Sequence, residues 1–196
     1  SVVLHANDVH IVNTWNLWQV PRTPPPDHIV GQVTAELIEA VAAGQQQLCW
    51  LREPDPRFCA MLPFWREALL HLEPNTVLDS LQHHGYADLR FYGVASDFAL
   101  HSARLRDTLA QWWPADAIDI RPLWHRFDAR QGHWHAYWVE VRIGRGRLNI
   151  STLRFGGGLG YQPATLADNP LGAWLLGATT SRQNPVYSLN AQTPSG

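Results

Sequence analysis

Trp134-His135-Ala136-Tyr137-Trp138-Val139-Glu140-Val141-Arg142-Ile143, then Gly144-Arg145-Gly146, then Arg147-Leu148-Asn149-Ile150-Ser151-Thr152-Leu153-Arg154-Phe155: this is the stretch whose reading decides the fold. Both flanks are rich in β-branched and aromatic residues, and the connection between them is short and glycine-containing. Two such runs have few low-cost ways to satisfy their backbone groups other than pairing with each other. An antiparallel hairpin over 134–143 and 147–155 is therefore expected.

Upstream of this hairpin the pattern alternates between helix and strand. Val9, Ile11 and Val12 suggest a short strand, and Pro21, Pro24, Pro25 and Pro26 extend it into a proline-rich arm that reaches residue 27. Ile29, Val30, Val33, Leu37, Ile38 and Val41 recur at helical spacing, with Asp27 as N-cap and Gly44 as terminator. Gln47 to Leu51 reads as a strand. Asp55-Pro56 caps a helix over Phe58 to Leu72, with a further helix from Asn75 to His84 and a strand from Asp88 to Val94. Ser96-Asp97 caps an amphipathic segment carrying Phe98, Leu100, Leu105, Leu109 and Trp112 to Pro114. A short helix near Pro170 to Leu176, capped by Asn169, precedes a polar tail over 183–196. The fold class is α+β: helices packed on a mixed sheet with a C-terminal antiparallel hairpin. No linker or repeat divides the chain, so residues 1–196 are read as one domain.

Composition limits the partners. With 45% apolar and 16% charged residues in 196, the chain can bury a sizeable core and is not of disordered type. Fifteen basic residues against 17 acidic ones give a net charge of −2, which leaves no basic excess for a phosphate backbone. Nucleic acid is not expected, and no apolar run has the length of a membrane span. The chain is expected to be soluble, in the cytoplasm or secreted as an effector. All 15 basic residues are arginines, a bias that fits either an arginine-rich coding habit or a protein that offers no amine for ubiquitin. Ten tryptophans supply large buried area and, in part, a surface for partners.

Cys49 and Cys59 are the two cysteines, too few at this size for a disulfide framework. Cys59 falls beside the expected helix start after Asp55-Pro56, where a helix dipole would lower a thiol pKa. His135 opens one arm of the hairpin and Asn149 lies on the other, so the two can sit side by side. This order resembles papain-like cysteine hydrolases, on Phe58-Cys59-Ala60 and on the stretch from Gly132 to Phe155. The resemblance implies Cys59 as nucleophile, His135 as general base and Asn149 as the residue that orients the imidazole. The chain departs from that pattern at the oxyanion hole, where Glu53, Pro54 and Asp55 stand in place of the usual glutamine; Gln45 to Gln47 precede Cys49 instead. The implied function is a cysteine-dependent hydrolase or amidase acting on a protein or peptide. The alternative is a non-catalytic interaction or adaptor module of a bacterial secretion, phage or mobile-element system, using tryptophans and the proline arm.

His133 and His135 form a second pattern. Residues two apart on a strand share a face, which suits a pair of metal ligands, and His125, His101 or Glu140 are the possible thirds. Glu140, at odd spacing from His135, is expected to face away. The simpler reading gives the two imidazoles to the solvated side of the strand, and neither metal nor cofactor is expected. Arg104, Arg106 and Asp107 read as a solvated helix face.

Overall fold

The computed structural model describes residues 2–6, 9–13, 29–62, 70–75, 77–81, 83, 85, 94–128, 132–154, 171–172, 174–175 and 177. Its organising element is β9 (His133–Ile143), an 11-residue strand. Along one side runs β8 (Ile118–Asp128), antiparallel from the Ile118–Ile143 pair to the Asp128–His133 pair. The other side is shared. β10 (Gly146–Ser151) pairs antiparallel with residues 138–143, and β7 (Phe98–His101) pairs antiparallel with residues 135–136. Beyond β10 lie β4 (Gln46–Trp50) and β3 (Ile29–Val30), both parallel to their neighbours. Beyond β7 lies β5 (Cys59–Met61), antiparallel, and β6 (His71–Leu72) pairs with β8. These eight strands make one mixed sheet, and β1 (Val2–Ala6) with β2 (Val9–Asn13) forms a separate antiparallel pair.

The expected hairpin is present, with β10 ending at Ser151. Its turn fits tightly against α1 (Ala35–Ala42). Gly144 has φ +56°, and a Cβ there would stand 2.6 Å from the Ala42 carbonyl oxygen. A Cβ on Gly146 would run into the carbonyl oxygens of Val41 and Gln45. Glycine is thus needed at both positions, and the Arg145 amide donates to the Ala42 oxygen at 3.1 Å. Gly44 ends α1 as expected, at φ +114°.

Several boundaries differ from the sequence reading. Thr34, not Asp27, caps α1, accepting from the Leu37 amide at 3.3 Å, and Ile29-Val30 is a strand beside β4. Phe98 to His101 is strand rather than the start of a helix; α2 begins at Ser102 and ends at Leu109. Cys59 likewise stands on a strand, following a turn in which the Asp55 carbonyl accepts the amides of Phe58 and Cys59. Between Asn75 and His84 the described residues hold a 3-10 turn, Leu78–Ser80. The proline arm from residue 14, the expected strand over 88–93, and the polar tail lie outside the described residues.

The helices cover one face of the sheet. Leu37, Ile38 and Val41 of α1 and Leu105 and Leu109 of α2 pack on Cys49, Cys59, Leu100, Ala136, Val139, Val141 and Ile150. On the other face Trp50, Leu72, Leu123, Trp124, Tyr137 and Trp138 meet Leu78, Leu81, Leu171, Trp174 and Leu175. The β8–β9 register shifts at Pro122/Trp124 and again at Trp124/His125. That irregularity lets Ala136 and Val139, three residues apart, share the helix-covered face while Tyr137 and Trp138 both turn to the other.

Candidate metal centre

The register of three strands decides which side chains meet. Cys59 pairs with Leu100, and Leu100 pairs with Ala136, so these three form one row across β5, β7 and β9 on the helix-covered face. The next row pairs His101 with His135. Since successive residues of a strand point to opposite faces, His101, His135 and, two positions back, His133 project from the other face. Their rings are in contact: the centroids are 4.1 Å apart for His101–His133, 4.9 Å for His133–His135 and 5.2 Å for His101–His135. One nitrogen from each lies within 4.8 Å of the other two.

Polar atoms in this cluster are withdrawn from water. His101 Nδ1 and His133 Nε2 are buried without a hydrogen-bond partner, a condition that folded proteins rarely leave uncompensated. Burial, then His133, then the guanidinium of Arg104 hold the His101 pKa below the ordinary imidazole value. His101 is therefore neutral at neutral pH and carries the lone pair that a metal ligand requires. Two of these residues stand two apart on β9, and β7 delivers the third because His101 is its last residue, immediately before α2.

The residues named from sequence are dispersed. Cys59 leaves the sheet on the face opposite His135, and burial, the largest influence, pushes its thiol up to about 12. Cys49 is pushed up to about 12 in the same way, chiefly by burial and then by the charge of Asp55. Cys59 opens β5 rather than a helix, and its amide donates to the Asp55 carbonyl at 2.8 Å. Asn149 pairs with Glu140, about 16 Å along β9 from His135 at the strand rise of about 3.3 Å per residue. Its side-chain oxygen accepts from Trp138 Nε1 at 3.0 Å, so it orients an indole.

Of the possible third ligands, His101 joins the cluster and the other two do not. His125 alternates with Arg126, the cross-strand neighbour of His135, and therefore points away; its Nε2 meets Glu73 Oε1 at 2.8 Å and its ring stacks on His71 at 5.6 Å. Glu140 is buried between two arginines, with Arg142 Nε at 2.9 Å and Arg147 Nη1 at 3.3 Å. Arg104 is exposed, as the sequence reading of a solvated helix face expects, and its guanidinium also donates to the Cys59 carbonyl at 3.3 Å.

Three imidazoles with no carboxylate or thiolate among them suit a divalent metal of the zinc type. With metal–nitrogen bonds of about 2.0–2.1 Å, tetrahedral ligands stand about 3.4 Å apart, against a present spacing of up to 4.8 Å. Comparison with protein-family models and with curated proteins finds no match to this chain.

Proposed function

We propose that this protein works through a zinc-type divalent metal held by His101, His133 and His135. The observation that carries the reading is the meeting of three imidazoles, one nitrogen from each within 4.8 Å of the others, in a cluster where His101 Nδ1 and His133 Nε2 are buried without a hydrogen-bond partner. Three protein ligands leave one tetrahedral position for water or a small molecule, the arrangement of catalytic rather than closed structural sites. A metal in such a site makes bound water acidic enough to attack near neutral pH. The reaction class supported is metal-assisted addition of water to an electrophilic centre. This keeps the hydrolytic chemistry expected from sequence and transfers it from a buried thiol to a histidine-bound metal.

Titration of chelator-treated protein with zinc, followed by calorimetry, tests the reading. One equivalent is expected to bind, and His133→Ala should weaken binding by more than about 100-fold, beyond what loss of an outer-shell partner costs. Binding that is unchanged in both His101→Ala and His133→Ala would overturn it.

A further inference from the structure

We infer that the remaining coordination position of this centre receives a small oxyanion, through a carboxylate or phosphoryl oxygen, and that Arg104 and Arg126 help to hold it. The inference rests on the metal reading above.

Charge leads to it. Neutral imidazoles do not offset a divalent ion, so a centre built from three histidines keeps its full double positive charge, unlike a site with acidic ligands. Two arginines stand near it in the fold. Arg126 is the cross-strand partner of His135 and shares its face. Arg104, three residues after His101 and in the first turn of α2, donates to the carbonyl of Cys59, whose cross-strand partner Leu100 directly precedes His101. A guanidinium carries five N–H donors, and one of those on Arg104 serves the Cys59 carbonyl. An arginine fork matches the planar oxygens of a carboxylate or phosphate better than any neutral ligand. An oxygen anion bound to the metal would thus lower the charge of the site and match the donors that the two arginines carry.

In the register Asp128 occupies the position opposite His133, and it is an acidic residue of the chain itself. The experiment must therefore separate an external anion from this residue.

The probe is cobalt(II), which reports its ligands through visible absorption, with acetate and inorganic phosphate added separately to the cobalt-loaded protein. Each response should saturate, and the tighter of the two identifies the oxyanion source. Arg104→Met should retain cobalt affinity and weaken the anion about tenfold, as loss of one charge-assisted contact does. Arg104→Lys should recover part of the loss, and Arg126→Met provides a second, independent weakening. Intact cobalt binding with no spectral response to either anion would overturn this inference alone. A response that emerges only in Asp128→Asn would also overturn it, by giving the position to the chain's own carboxylate. Failure to bind cobalt at all would overturn the metal reading and this inference together.

Discussion

With burial pushing both thiols up to about 12, neither Cys49 nor Cys59 is a ready nucleophile at neutral pH. Iodoacetamide labelling of the folded protein, followed by peptide mapping, should find both cysteines slow and comparable. His135→Ala should leave the Cys59 rate unchanged, because the imidazole and the thiol leave opposite faces of the sheet. Selective fast labelling of Cys59, abolished by that substitution, would restore the cysteine-hydrolase reading. At this scale the sequence was legible in part. His133 and His135 are two apart and visibly form a pair, and His101 stood among the possible thirds. What joined it to them is the register between β7 and β9, a pairing between segments more than 30 residues apart that no local pattern encodes. Cys59 was misplaced because Asp55-Pro56 is an equally good opening for a helix and for the turn actually formed.

Among the elements, the β9–β10 hairpin was the most readable because both its arms and its turn point the same way. Its glycines carry a further constraint that the pattern did not reveal, namely the approach of the turn to the end of α1. Gly146→Ala should cost about 1–3 kcal/mol, the usual range for overpacking, because the intruding methyl group meets backbone oxygens that cannot swing aside. Gly31→Ala, where a Cβ meets nothing within 4 Å, should stay within about 0.5 kcal/mol. Equal midpoints for the two variants in urea denaturation would refute the argument. Other elements were hidden for identifiable reasons. In Phe98 to Leu109 a four-residue strand runs directly into a helix, and Phe98, Leu105 and Leu109 fall on one helical stripe, which masks the change of period although Leu100 lies off it. The 11-residue β8 escaped notice because Pro122 interrupts it; the proline sits at the register shift, where a missing amide donor is tolerated.

For the molecule as a whole, the proposed metal would clamp two strands that the chain must bring together. His101 lies on β7 and the other two ligands on β9, so the unfolded chain lacks the site and binding becomes stability. Zinc at about 100 times its dissociation constant should add about 2.7 kcal/mol to unfolding, raising the thermal midpoint by several degrees. The buried indoles of Trp124 and Trp138 make fluorescence a direct monitor of that transition. The increase should vanish with chelator and in His133→Ala. A midpoint indifferent to zinc in the wild type would contradict the clamp.

The parallel contact of β4 with β10 has a consequence for the protein during its own synthesis. Residue 46 must find residue 147 across about a hundred intervening positions. At about 5–20 residues per second, a ribosome takes about 5–20 s to make that length. While that length is being made, Leu48, Cys49 and Trp50 lack the strand that will cover one edge of theirs. The nascent chain therefore carries a strand with one unpaired edge for seconds, and its yield in the cell should fall when slower translation lengthens that interval.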